Sequence, residues 1–595
     1  MTKKKLIIKL ILKYKDSIET LFAKAFVEKD KKNFSESKKI FNKILSITDS
    51  LEARHHLAEI YLLEKEYILS KIHIERLIAD DYKLADNLNK LGVIFSSERN
   101  FSQAILLFKQ SLNIFSGDLI VQKNLAYNYR LNLEYSEAKQ IYKDILYHHP
   151  KDIDNLCNIS NLYFTLGRTF LGFKFLLKAY KIDKKKFKTI INLVARFPYI
   201  KIKSKKNLLF LEKIVPKKNL LKIEEATVDY TSIKNYNTYN NKCLKLGFIS
   251  SDFFSHPVGY YLLDFFKILK KQNVKIILFS DKKNTDNYTK EIKKNSHKWI
   301  DIHSLENLSV IEKIKRNELD LLFDLGGITN SRRRDLYAHK LSLKTISWMG
   351  WLASTGIPNI DYIYGDKYAT PDDDQPKFTE KLINKNSIWC CLSTSDIRKV
   401  NQKVNLNEKY FVFAMFQNPL KMSNILIKTW SEILNKTNNT KILFANRLYE
   451  SDLIKNRILE LFSHYKVNIN RIEFSKQMKR SELLECYNNT DAVLDTFPYN
   501  GGTSSFEASF MGVPIITLND SKHIMFRCGF SINCNLGLEK FIAKNESEYV
   551  SKAILLAEKK DPIFRQELIE RNRNSNLFNM ENFVMNFYEN CLNLS

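Results

Sequence analysis

The first third of the chain repeats its apolar and small positions every thirty-four residues. Windows 85–118, 119–152 and 153–186 carry small or apolar pairs at one phase: Leu91-Gly92, Leu125-Ala126 and Ile159-Ser160. An aromatic follows at Phe95, Tyr129 and Tyr163, then an aromatic and a small residue at Phe101/Ala104 and Tyr135/Ala138. Phe108 and Tyr142 fill the next apolar position, and Pro150 closes its window. Residues 51–84 fit through Leu57-Ala58, Tyr61 and Tyr67, and residues 17–50 read as a degenerate copy. This pattern predicts two antiparallel helices per unit. Small residues let the helices approach, aromatics fill the gap, and stacking buries faces that one unit cannot bury alone. Period and phase are those of a tetratricopeptide array over residues 1–186, an α/α superhelix that offers a groove and no chemistry of its own.

Residues 187–243 are rich in Lys and Asn and read as a partly helical connector. Beyond them the pattern changes to short apolar, β-branched runs at 246–250, 274–279, 319–324, 344–348 and 362–364. A second series follows at 411–416, 441–444, 471–474, 492–495 and 514–518. Apolar strands separated by stretches able to form helices predict parallel sheets covered on both faces. Two series meeting near residue 400 predict two doubly wound, Rossmann-like lobes, 244–398 and 399–595, with a cleft between them.

Composition narrows the class. The chain has 595 residues, 44% hydrophobic, with 16 Gly and 11 Pro, which excludes wholesale disorder and collagen-like designs. Its 94 Lys and Arg against 66 Asp and Glu leave a formal charge of +28. The cations are scattered rather than gathered in a basic run, which speaks against nucleic acid as the partner. Eight cysteines without a CxxC pair exclude a disulfide scaffold and a structural zinc site. Lys9 and Lys13 interrupt the apolar N-terminal stretch, which therefore reads as an amphipathic helix and not a signal sequence. The sequence has no run long enough for a transmembrane span, and a cytoplasmic location is expected.

Candidate chemistry falls where strands hand over to helices, since ligands of such sheets bind at the strands' carboxyl ends. Ser250 to Gly259 follows the opening strand and carries His256, which can act on a proton at neutral pH. Phe416-Gln417-Asn418-Pro419-Leu420-Lys421 follows the first strand of the second series, and Lys421 is placed to neutralise a diphosphate. The third segment is Leu494 to Glu507, with Asn500-Gly501-Gly502-Thr503-Ser504 at its centre. A strand ends there, glycines permit close backbone approach, and hydroxyl residues open a helix whose N–H groups and dipole suit phosphate oxygens. Glu507, one turn further, is placed to accept from ribose hydroxyls. The GxxxxGK[ST] and GxGxxG spacings are absent, which disfavours P-loop and dinucleotide readings. Asp372-Asp373-Asp374 imitates a metal-binding acidic motif but sits in a Pro-flanked segment and reads as a solvated turn.

The blocks DFFSHPVG, LDTFPYNGGTSSFEASFMGVPIITL and GLEKFIA, behind the repeats, resemble the O-linked N-acetylglucosaminyltransferase family over roughly residues 50–590. The form DTFPYxG is most similar to bacterial members and to Spindly-type O-fucosyltransferases. The resemblance implies a GT-B catalytic unit and inverting, metal-independent transfer of a sugar from a nucleotide donor to Ser or Thr of a protein. It implies no metal and no cofactor beyond the nucleotide-sugar co-substrate, with UDP-N-acetylglucosamine first and GDP-fucose or UDP-glucose as alternatives. By match of motif, His256 assists the acceptor, Lys421 stabilises the diphosphate, and Asn418 supplies a neighbouring donor-binding amide. Asn500, Gly501, Gly502, Thr503 and Ser504 surround the donor phosphates, Glu507 meets the ribose, and Arg480 lies near the base. Gly350, Ser354, Thr355 and Gly356 belong to the loop lining the sugar and acceptor side. The implied partner is a protein acceptor held along the repeat groove; oligomerisation through the repeats stays open. The chain departs from the N-acetylglucosamine enzymes at Gly502, where a His that touches the uridine is usual, and from animal members at Leu483 and Cys486, which replace His and Arg. A non-catalytic repeat scaffold is the competing class, and the retained His256, Lys421 and Thr503-Ser504 argue against it.

Overall fold

The computed structural model describes residues 17–184, 186–200, 243–282, 285–327, 333–357, 359–400, 402, 404–405, 409–476, 478–519 and 527–595. The expected N-terminal helix of residues 1–15 and most of the connector lie outside them. The chain divides into two compact units, Met1–Leu162 and Tyr163–Ser595.

The repeat period produces antiparallel helix pairs, beginning with Ile18–Asp30 and Phe34–Ile47 and continuing through Leu51–Leu63 and Tyr67–Ala79. Residues 17–50 thus form a complete pair despite their degenerate sequence. In the pair Leu84–Ser97 and Phe101–Ile114, a Cβ on Gly92 would lie 2.7 Å from the Phe108 ring, so the small residue permits the helix approach. Ser37 and Ser70 reinforce equivalent contacts by donating to the Ala25 and Ala58 carbonyls at 2.9 and 2.8 Å. Leu119–Leu131 and Tyr135–His148 continue the pattern, and Ile153–Thr165 with Thr169–Ile182 complete it. The compact division falls inside the helix Ile153–Thr165. Residues 163–182, expected as the end of the array, therefore belong to the second unit, as do the helix Phe187–Arg196 and the turn Phe197–Tyr199.

The second unit contains two wholly parallel sheets. The first holds β1 (Leu244–Ser250), β2 (Val274–Ser280), β3 (Lys298–Asp301), β4 (Leu321–Asp324), β5 (Lys344–Trp348), β6 (Tyr362–Tyr364) and β7 (Lys381–Ile383). Their order is β3-β2-β1-β4-β5-β6-β7. The second holds β8 (Phe411–Met415), β9 (Thr440–Phe444), β10 (Ile472–Phe474), β11 (Ala492–Leu494), β12 (Ile515–Leu518) and β13 (Ile542–Ala543), in the order β10-β9-β8-β11-β12-β13. In each sheet the direction of winding reverses beside the first strand, between β1 and β4 and between β8 and β11. Open α/β sheets bind ligands at such points.

The last helix, Met580–Leu594, corrects the expected assignment of all of 399–595 to the second lobe. Phe587 packs 5.0 Å from both the Phe323 and Trp348 rings, in the core of the first sheet. The chain end therefore staples the two lobes together. Among the described residues no helix is long and apolar enough to cross a membrane.

Candidate active site

Because β8 and β11 are neighbours, the loops that follow them meet. Lys421 ends the short turn Pro419–Lys421, which Asn418 caps by accepting from the Leu420 N–H at 2.9 Å. The Lys421 ammonium donates to the Asn500 carbonyl and lies 4.1 Å from the centre of the Tyr499 ring. Burial pushes its pKa down to about 8, with the nearby Asp495 carboxylate opposing the fall. The amine is thus a desolvated cation held by a neutral carbonyl and an aromatic face, a site that favours an arriving anion.

Asp495, just past β11, organises the adjoining loop. It accepts from the Gly501 N–H at 2.6 Å, Thr517 Oγ1 at 2.7 Å and Gln417 Nε2 at 3.2 Å. Burial raises its pKa to about 6. Gly501 is required there, since a Cβ would lie 2.3 Å from Ser505 Oγ and 2.6 Å from Gln417 Nε2. Gly502 faces open space and precedes the helix Thr503–Phe510, whose cap makes no side-chain hydrogen bond. The first N–H groups of that helix, at Thr503 and Ser504, have no intrahelical acceptor, as at any helix start. Gln417 Oε1, Asn500 Oδ1 and Ser505 Oγ are buried beside this loop without partners. Buried polar atoms left without protein partners call for ordered water or a polar ligand to complete their bonding.

The first lobe contributes from the helix Pro257–Leu269. Tyr261 donates to Thr503 Oγ1 at 3.2 Å, tying the two lobes together at the helix start. His256 caps this helix, and its Nδ1 accepts from the Val258 N–H at 3.3 Å. Accepting at Nδ1 leaves the proton of the neutral ring on Nε2. Burial lowers the imidazole pKa, and Lys282 adds to this against the opposing charge of Asp252. His256 therefore presents Nε2 as a donor in its neutral form. Gly259 lets the DFFSHP segment close on the helix, because a Cβ there would lie 2.0 Å from the Phe254 carbonyl oxygen.

The loop after β5 is firmly pinned. Thr355 N–H donates to Glu380 at 2.7 Å, Thr355 Oγ1 binds the same carboxylate, and Ser354 Oγ donates to it at 2.8 Å. Gly350 sits where a Cβ would come 2.1 Å from the Leu325 carbonyl oxygen, and Gly356 has φ +64°. Both hydroxyls expected on the sugar side are thus engaged within the protein.

Arg480 and Glu507 were expected on base and ribose; the structure pairs them with each other. Arg480 Nη1 donates to Glu507 Oε1, its Nε donates to Asp396 at 3.1 Å, and its guanidinium lies 3.6 Å from the centre of the Tyr260 ring. Arg480 Nη2 is buried without a partner. Tyr487 donates to the Ser504 carbonyl at 3.1 Å and lies 3.5 Å from Glu507. The acidic turn is exposed at Asp372 and Asp373, as expected of a solvated turn, and differs at its third carboxylate. Asp374 is buried and ion-paired with Arg527 of the second lobe and with Lys377, while Asp372 accepts from Asn384. Among the described residues one group of possible metal ligands, the His55 imidazole with the Glu59 and Asp86 carboxylates, lies in the repeat unit. There Lys90 Nζ already sits 3.0 Å from Glu59 and 2.7 Å from Asp86.

Sequence reasoning passed over Asp495, Tyr499, Gln417 and Tyr261. All four lie within the quoted motif segments or next to them. Position at a strand end could have flagged Asp495 and Gln417; nothing in the local pattern distinguishes Tyr499 or Tyr261 from core aromatics.

Two doubly wound lobes, with chemistry-bearing loops at the switch point of each sheet, define the GT-B class of fold. The sequence profile of glycosyl transferase family 41 matches residues 180–391 and 392–587, and the chain belongs to that family. A Petunia hybrida protein described as a probable UDP-N-acetylglucosamine–peptide N-acetylglucosaminyltransferase SPINDLY is 27% identical over 336 residues, covering 54% of this chain and 36% of its own. The Arabidopsis thaliana protein given the same description with the name SEC is 26% identical over 331 residues, covering 53% and 33%. The chain thus spans about a third of the length of the curated relatives it matches. A solved Thermobaculum terrenum O-GlcNAc transferase mutant shares the fold, with a TM-score of 0.68, 18% identity, and coverage of 91% of this chain and 97% of that one.

Proposed function

We propose that this protein transfers a sugar, with inversion and without a metal ion, from a nucleotide donor to Ser or Thr hydroxyls of a protein acceptor. The observation that carries the reading is the Lys421 ammonium beside the open helix start at Thr503, with unsatisfied polar atoms around Gly501. Breaking a glycosyl–phosphate bond leaves growing negative charge on the nucleoside diphosphate. A fixed ammonium and a helix N-terminus already oriented toward that charge lower the barrier without reorganising.

His256 orients the acceptor. With Nδ1 accepting from Val258, its Nε2–H can hydrogen-bond the acceptor oxygen or the sugar while that oxygen attacks from the face opposite the diphosphate. UDP-N-acetylglucosamine is the proposed donor, supported by the relatives described as probable UDP-N-acetylglucosamine–peptide N-acetylglucosaminyltransferases. GDP-fucose and UDP-glucose remain the alternatives because Gly502 offers no side chain to the base. The repeat groove is the proposed seat of the polypeptide acceptor.

Lys421→Ala tests the reading. Loss of one preorganised leaving-group stabiliser costs about 10²–10³ in turnover, so nucleotide release from the preferred donor falls by that factor. Turnover close to that of the unaltered protein removes Lys421 from the mechanism.

A further inference from the structure

The turn that carries Lys421, and the ring beside its ammonium, are met by a stretch of chain that the reaction does not otherwise need. Tyr199, in the turn after the helix Phe187–Arg196, packs its ring perpendicular to that of Tyr499, centroids 5.1 Å apart at 89°. The Tyr499 face in turn lies 4.1 Å from the Lys421 ammonium. Tyr199 is itself held: Arg196 lies over its ring and over that of Phe164, at 5.9 and 5.6 Å. A second contact reaches the same turn from behind. Buried Arg457 donates through Nη2 to the Gly167 carbonyl at 2.9 Å, the Met422 carbonyl at 3.2 Å and Asn424 Oδ1 at 2.7 Å. Gly167 has φ +68°, and a Cβ there would stand 2.8 Å from both Arg457 Nη1 and the Met422 carbonyl oxygen. Residues 164–199, whose sequence continues the repeat period and its connector, thus meet the lysine turn at Gly167 and the Tyr499 ring at Tyr199.

We infer that Tyr199 is a positioning residue for Lys421, holding the Tyr499 face against the ammonium so that the amine points where the diphosphate arrives. The inference rests on the proposed role of Lys421. An edge-on ring constrains the plane of its neighbour, and a cation–ring contact depends on the cation standing over the face. Without the Tyr199 ring, Tyr499 can rotate, and the lysine gains conformations directed away from the helix start at Thr503. Arg457 and Gly167 fix the backbone of the same turn.

The test is a double-substitution cycle on the full chain, read by titration with UDP and with GDP. Tyr199→Leu weakens binding of the preferred nucleotide by about tenfold, the scale of one cation–ring contact, and Tyr199→Phe, which keeps the ring, recovers most of the loss. On the Lys421→Ala background, Tyr199→Leu changes binding by less than about twofold, because the lysine it positions is gone. Unchanged binding in Tyr199→Leu, with binding weakened in Lys421→Ala, overturns the inference and leaves the reading of Lys421 standing. An equal loss on both backgrounds also overturns it, since the effect then bypasses the lysine. If neither nucleotide binds the unaltered chain, or Lys421→Ala binds as well as it does, the reading falls and the inference with it. Tyr499→Leu leaves the Tyr199 turn in place and removes the same ring face. It must show the same dependence on Lys421 should Tyr199→Leu fail to fold.

Discussion

The proposed chemistry is concentrated in one titratable group, Lys421. Its amine is charged below a pKa of about 8 in the free protein, and burial is the cause. A bound diphosphate favours the charged form, so the pKa rises in the complex. The proposed mechanism therefore expects kcat/KM, which reports the free protein, to fall as pH rises through about 8, while the limb in kcat lies higher. In Lys421→Arg the limb moves out of the accessible range, because a guanidinium stays protonated. A kcat/KM profile that is flat between about pH 7.5 and 9.5 contradicts the assignment. Legibility in the sequence was uneven at this scale. Lys421, His256 and Thr503 stood at strand ends inside recognisable motifs, and the structure brings Lys421 and Thr503 to adjoining loops. The partners that shape them were hidden: Tyr199 lies 300 positions before Tyr499 and Asp374 lies 153 before Arg527, separations over which no local pattern operates.

Elements place these residues through close approach. At Gly501 the loop after β11 folds against Ser505 and Gln417, and at Gly259 the helix start folds against the Phe254 carbonyl. Gly501→Ala and Gly259→Ala should each destabilise the protein by about 1–3 kcal/mol, the usual cost of forcing atoms into a packed site. Chemical denaturation measures this, and unchanged midpoints show that the loops have room that the structure does not display. Ten strands announced themselves as apolar runs. The three that did not, β3, β7 and β13, all lie at sheet edges and are four, three and two residues long. An edge strand has one neighbour and partial burial, so it needs no continuous apolar run. Lys298–Asp301 has a charged residue at each end and reads as a loop. The helix pairs were legible because stacking imposes the same small and aromatic positions in every unit, even where residues 17–50 had lost most of the pattern.

At the scale of the molecule, two sheets bring their switch points to one cleft, and contacts between lobes hold it. Tyr261 meets Thr503, Asp374 meets Arg527, and the last helix returns to cover the first sheet through Phe583 and Phe587. The two-lobe plan followed from the alternation of strands and helices. The return of the chain end did not, because an amphipathic helix carries no mark of which core it will cover. Family 41 membership and the shared fold agree with this plan. The account depends on the diphosphate entering between Lys421 and the helix start at Thr503. A crystal structure of the protein with UDP, or with GDP if that binds more tightly, measures this directly. The account predicts phosphate oxygens within hydrogen-bonding distance, about 2.7–3.2 Å, of both Lys421 Nζ and the backbone N–H groups at Thr503 and Ser504. A nucleotide bound with its diphosphate away from both groups contradicts it.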